Sequence, residues 1–244
     1  MRSKVKALAD DYRLLLNNVP AFVTVAFVVS TILMNFAASK VIFQWGKVAM
    51  TGGVLLSWTP FLCMDTVTKR FGARASIMLN VLSAVGNVFA VLFMHLIAII
   101  PGNGQDYSSF NSVYTSVWFI VLGSTVAFVI SGVANSLLNV LVGKIFKKHP
   151  NGGFAFFIRS YVSTFIGQAI DNFLFMFIVY VIFAPIYWGF GMDIATCIGT
   201  AIVGGFLELL VEIVFSPLGL KVVRHWEREK VGQAYIDAHA TKAE

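Results

Sequence analysis

Charge is scarce in this sequence: Asp, Glu, Lys and Arg make up 12% of its 244 residues, about half of the roughly 25% found in an ordinary soluble domain. That scarcity excludes a cytosolic globular protein. Cysteine is nearly absent as well. Cys63 and Cys197 both lie inside apolar stretches that the topology below carries toward opposite faces of a bilayer, so no disulfide framework is implied and both read as small core residues. The net charge of +6 would suggest nucleic acid as a partner of a soluble chain, but basic residues flanking membrane spans follow from topology, and nucleic acid binding is set aside. Several catalytic signatures are missing too. No Walker loop occurs, so the chain is not expected to hydrolyse ATP itself. No Gly-x-Ser-x-Gly elbow or His-Glu-x-x-His helix is present, His95 has no acidic orienter in its own span, and no second His is spaced to form a metal site. Neither an enzyme nor a bound cofactor is expected.

What the sequence has instead is apolar length. Hydrophobic residues reach 58% and the mean hydropathy is +0.80, concentrated in uncharged stretches long enough to cross a hydrocarbon core of roughly 30 Å. Six spans are expected, at Pro20–Val41, Met50–Thr68, Ser76–Ile100, Val113–Val142, Ser160–Tyr187 and Ile194–Leu220. All are read as helices, because an open strand edge cannot sit in lipid. The second is interrupted by Gly52, Gly53 and Pro60. The first continues well past the length of a signal-peptide core and is read as a retained span. The fold class is thus an all-α polytopic membrane protein, its spans at 20–220 forming one transport domain between short polar tails at 1–19 and 221–244.

Orientation follows from lysine and arginine, which are retained on the cytoplasmic side. With the amino terminus inside, all but Lys40 and Lys47 of the 18 basic residues fall in cytoplasmic segments. Both termini are therefore expected inside. Trp45, Tyr107, Tyr114, Tyr187 and Trp188 would ring the outer face, and Tyr12, Tyr161 and Trp226 the inner one. Six spans with both ends inside divide into three plus three of opposite orientation, as inverted-repeat transporters do.

An ionised group at the bilayer centre costs at least about 2.5 to 3.5 kcal/mol, so each intramembrane carboxylate needs a cavity or a partner. Asp171 lies about 16 Å into the fifth span at 1.5 Å per residue, close to the midplane, within Gly167-Gln168-Ala169-Ile170-Asp171-Asn172. Glu208 and Glu212 lie one turn apart in the sixth span and share a face, the arrangement of a proton relay. Asp65 stands four residues before Lys69, where an intrahelical ion pair is its plainest role. Polar stripes at Asn80, Ser83 and Asn87 and at Ser131, Asn135 and Asn139 read as interhelical hydrogen-bonding glue. Asn35, Ser39 and Lys40 polarise the first span, with Lys40 able to snorkel outward or to meet a carboxylate.

Four segments together resemble the vitamin uptake transporter family of bacterial queuosine precursor transporters: Asn35–Lys40, Pro60–Ala75 with its Pro, Asp and Gly, Ser163–Asp171 followed by a Phe-rich run, and the Pro217 ending of the sixth span. Many members carry an acidic residue at the place of Lys69 and a basic one at the place of Glu208. The resemblance implies import of 7-deazaguanine precursors of queuine, chiefly the 7-cyano and 7-aminomethyl forms, across the inner membrane of a bacterial cell. Its partners would be that small molecule and the lipid bilayer, with a homodimer as a further assembly. A substrate-binding subunit for a vitamin or other heterocycle, energised by separate ATPase partners, is the alternative. The residues expected to meet substrate are Asn35, Asp65, Gln168, Asp171, Asn172 and Glu208, with Glu208 and Glu212 as candidates for proton coupling.

Overall fold

The computed structural model describes the backbone over residues 2–145 and 153–240, and side chains over 5–131, at Ala134 and Val162, over 165–211 and over 213–239. In chain order the elements are α1 (Arg2–Asn18), α2 (Ala21–Ala37), strands β1 (Val41–Trp45) and β2 (Val48–Thr51), a 3-10 turn at Gly52–Leu55, α3 (Trp58–Phe71), α4 (Ala73–Ile99), α5 (Ser108–Tyr114) and α6 (Val117–Ile145). Then come α7 (Gly153–Met176), a π-helical stretch at Phe177–Phe183, α8 (Ala184–Tyr187), α9 (Ile194–Arg228) and α10 (Gln233–Ala240). Among the described residues, four helical stretches are long and apolar enough to cross a membrane: Ala73–Ile99, Ser108–Ser131, Phe165–Tyr187 and Ile194–Arg228. A fifth is counted if α1 and α2, bent by 108° at Pro20, are taken as one span. The chain is a multi-pass, predominantly helical membrane protein.

The largest difference from the sequence reading lies in the stretch expected as the second span. Met50 and Thr51 belong to a strand, and an α-helix begins only at Trp58. The 14 residues of α3 extend about 21 Å at 1.5 Å per residue, short of a bilayer core. Sterics explain the lead-in. A Cβ at Gly52 would stand 2.7 Å from the Ala37 carbonyl oxygen and one at Gly53 2.9 Å from that of Met34, so the two glycines press backbone to backbone against the end of α2. The stretches expected as tails are also ordered: α1 buries Leu15, and α10 buries Tyr235. Helix α9, at the place of the sixth expected span, runs through Pro217 to Arg228, beyond the expected end at Leu220.

The chain divides into two compact units. The first comprises Met1–Leu33, Leu56–Asn87 and Glu212–Glu244. Its core gathers Leu15, Val19, Phe27, Val67, Phe71, Met78, Leu79, Trp226 and Tyr235. Phe71 sits between Trp226 and Tyr235, edge-on to both at 5.8 and 6.3 Å, and Trp58 stacks on Phe215 at 4.9 Å. Arg70 donates to the Val231 carbonyl and to Gln233 Oε1, tying the C-terminal turn to α3.

The second unit comprises Met34–Leu55 and Val88–Val211. Here α6 packs along α7, and Tyr180, within the π-helical stretch, donates its buried hydroxyl to the Ala38 carbonyl. Trp118, Phe119, Phe183, Tyr187 and Trp188 form one aromatic cluster, so Tyr187 and Trp188 are packed groups and more than an interfacial ring. The hairpin β1–β2 pairs Trp45 with Val48 and Gln44 with Ala49 and seats on the start of α9, where Ala49 N–H donates to Thr200 Oγ1 at 2.8 Å in a buried contact. Asn135 and Asn139 of the expected stripe on α6 lie outside the described side chains.

Candidate functional site

The site is built where α7 and α9 approach closely in the second unit. Gly204 and Gly205 permit that approach: a Cβ at Gly204 would come 3.2 Å from Asn172 Nδ2, and one at Gly205 3.1 Å from the Ala169 backbone nitrogen. Glu208 lies one turn beyond Gly204 on the same helical face. The glycine contact therefore delivers Asn172 to the carboxylate: Asn172 Nδ2 donates to Glu208 Oε2 at 3.1 Å and to the Gln168 carbonyl at 3.0 Å. On the side of α6, Ser131 Oγ lies 2.8 Å from Asp171 Oδ1 and 3.1 Å from the Phe128 carbonyl. A hydroxyl with one proton donates to one of these oxygens at a time.

Two carboxylates, Asp171 and Glu208, are thus held by neutral donors. Among the described residues no Lys or Arg pairs with either. Gln168 Oε1 is buried without a hydrogen-bond partner among the described residues, although a buried acceptor normally finds a donor. Asp171, Glu208 and Gln168 thus supply acceptors with spare capacity on α7 and α9. Such acceptors suit a ligand rich in N–H groups.

The expected site residues separate by unit. Asn35, Gln168, Asp171, Asn172 and Glu208 fall in the second unit and Asp65 in the first. Asn35 is buried near the end of α2. Asp65 pairs with Lys69 at 2.6 Å, both side chains more than a third exposed, as the i, i+4 spacing anticipated. Gly219 of α9 lies beside that carboxylate and the Leu62 and Thr66 side chains. The side chains of Glu212 and Arg159 lie outside the described residues. Ser131 enters the site although its spacing with Asn135 and Asn139 marked it only as interhelical glue; the chemistry of a stripe does not say which member meets a carboxylate.

Sequence reasoning also missed an ion pair. Lys47, at the hairpin turn, lies 2.6 Å from Asp193 Oδ2. Asp193 caps α9 as well, its Oδ1 accepting from Thr196 N–H at 2.7 Å. The Lys47 hydrogen bond, then the capping N–H, hold its carboxyl down at about 2. One of only two basic residues on the expected outer side, standing near an acidic residue in an outer loop, was the available signal. Beside this pair, Val41–Gln44 and Phe190–Asp193 line a cleft of about 440 Å³.

The sequence pattern of a family described as "Putative vitamin uptake transporter" matches residues 51–222. The chain belongs to the vitamin uptake transporter family. The match takes in Asp65, Gln168, Asp171, Asn172, Glu208 and Glu212, and leaves Asn35 outside it. No curated protein and no solved structure matched the chain significantly. Membership makes this a membrane protein of a transporter family, and Gln168, Asp171 and Glu208 all lie within the matched region. Among the described residues, no three of His, Cys, Asp and Glu gather into a metal site.

Proposed function

We propose that this family member is a six-span importer of 7-deazaguanine precursors of queuine, in the 7-cyano or 7-aminomethyl form, acting in the bacterial inner membrane. The observation that carries the reading is the acceptor set of Asp171, Glu208 and the unpartnered Gln168 Oε1. A guanine-like ring offers the complement, because N1–H and the exocyclic amine are parallel donors that one carboxylate accepts together. The aminomethyl form adds a cation for the second carboxylate. Asn35 joins this set from the second unit, and Asp65 is assigned to substrate handling on the family resemblance.

Purified protein screened by thermal shift is expected to be stabilised by 7-aminomethyl-7-deazaguanine and not by adenine, by about 2.7 kcal/mol at a ligand concentration 100 times Kd. No stabilisation by any 7-deazaguanine would overturn the substrate. Liposomes containing this protein alone are expected to accumulate the labelled compound, whereas binding without uptake would favour a subunit energised by ATPase partners. In this reading Glu208 carries the coupling proton, with Glu212 as its candidate relay. Glu208→Gln should then abolish accumulation while sparing exchange down a gradient; unchanged, pH-dependent accumulation removes Glu208 from coupling.

Six spans require α2 and the stretch containing α3 to count beside the four longer ones, with both termini cytoplasmic. Single cysteines at Asn103 and at Glu229, in a background lacking Cys63 and Cys197, are expected to label from opposite sides. Labelling of both by an impermeant external reagent rejects the orientation.

A further inference from the structure

The C-terminal helix α10 carries a contact that the transport reading does not use. His239 lies within the first unit, its side chain 16% exposed, against Asp11 of α1, whose side chain is 6% exposed. Asp11 also pairs with Arg74 of α4. Tyr235 of α10 stacks on the His239 ring at 4.2 Å, and Tyr12 of α1 donates to the Met78 carbonyl of α4. Among the described residues, the titratable and charged groups that face the imidazole are thus Asp11 of α1, with Arg74 of α4 behind it, and Tyr235 of α10.

The two ring nitrogens decide its charge. Nδ1 lies 2.8 Å from the Tyr235 carbonyl oxygen, which only accepts, so Nδ1 carries a hydrogen. Nε2 lies 2.8 Å from Asp11 Oδ1, off the hydrogen-bond direction, and that carboxylate also pairs with the Arg74 guanidinium. A neutral ring with its proton on Nδ1 would turn the Nε2 lone pair toward a negative oxygen in a largely buried site. Only the imidazolium makes both contacts attractive. Movement of this ring bears directly on the core of the first unit, because its stacking partner Tyr235 is 1% exposed and meets Phe71. Gly232, at φ +69, lets the turn before α10 close over Phe71, where a Cβ would overlap the ring.

We propose that α10 is a pH-operated clasp, seated on α1 and α4 while His239 is protonated and released when the ring loses its proton. The sign follows from the contact: the charged ring stabilises the seated state, so the clasp holds at low pH and opens at high pH, once the ring has lost its proton. In the orientation proposed above, it would answer to cytoplasmic pH.

Hydrogen–deuterium exchange of the full-length protein, followed in peptides covering 231–240 and corrected for intrinsic rates, tests this. Protection is expected to fall about tenfold or more between about pH 5.5 and about pH 8.5, on either side of histidine titration, as a buried charge-assisted contact is lost. His239→Gln, whose amide donates to Asp11 at every pH, is expected to make protection independent of pH. His239→Phe, which keeps the stack and removes both N–H groups, is expected to leave α10 unprotected at both. Equal protection of the wild type at the two pH values overturns the clasp. So does a pH dependence that survives in His239→Gln.

Discussion

Asp171→Asn is expected to weaken binding of a 7-deazaguanine by two to four orders of magnitude while leaving the protein folded. The substitution keeps the side-chain volume and replaces one carboxylate oxygen with an N–H donor, which then faces the ligand's own donors. A site built around buried hydrogen bonds discriminates by roughly 10⁴-fold when one of them is unmet. Folding should survive because the partner of Asp171 on α6 is the Ser131 hydroxyl, and an asparagine oxygen accepts that proton as a carboxylate oxygen does. No cation among the described residues would be left unpaired by the change. Isothermal titration of the detergent-solubilised variant, set beside its melting temperature without ligand, separates the roles. Wild-type affinity in a well-folded variant would remove Asp171 from the substrate site, and loss of the folded protein would assign it to the assembly of α6 with α7.

A second large effect is expected at Gly199, far in sequence from the hairpin it supports. Any Cβ on this residue of α9 would overlap the Lys47 carbonyl oxygen, a backbone atom at a two-residue turn that cannot rotate aside as a long side chain would. Gly199→Ala must therefore lift the hairpin from the helix. Two contacts go with it: the buried bond from Ala49 N–H to Thr200 Oγ1 and the ion pair of Lys47 with Asp193. Overpacking typically costs about 1 to 3 kcal/mol, and a buried N–H left unsatisfied adds about 1 to 3 more. Each kcal/mol lowers Tm by roughly 2 to 4 °C for a domain of this size. The variant should melt several degrees below wild type, and hydrogen exchange at the Ala49 amide, protected in wild type by its bond to Thr200 Oγ1, should speed up in Gly199→Ala. Equal melting and equal exchange would mean that the turn relaxes at no cost.

Membrane character, the main helices and the chemical interest of the intramembrane carboxylates were legible in the sequence, because each depends on neighbours within a few turns. Uncharged length decides whether a segment can enter lipid. Spacing of four places Asp65 beside Lys69, and an ionisable residue amid apolar ones announces that it needs a partner. The start of the stretch expected as the second span is where that logic falls short: Gly52 and Gly53 look like interruptions of a helix, and only their contact with the Ala37 and Met34 carbonyls shows that they end a hairpin. The partners of the carboxylates were equally hidden. Ser131 meets Asp171 across 40 residues and Asn172 meets Glu208 across 36. Those pairings rest on how closely α7 can approach α6 and α9, which the glycines of α9 permit but do not announce. The terminal helices carry the same lesson, since Asp11, Arg74 and His239 each read as a solvated tail or loop residue. Their proximity arises only when α1, α4 and α10 pack together, because burial of Leu15 and Tyr235 in one core brings together groups that no local periodicity relates.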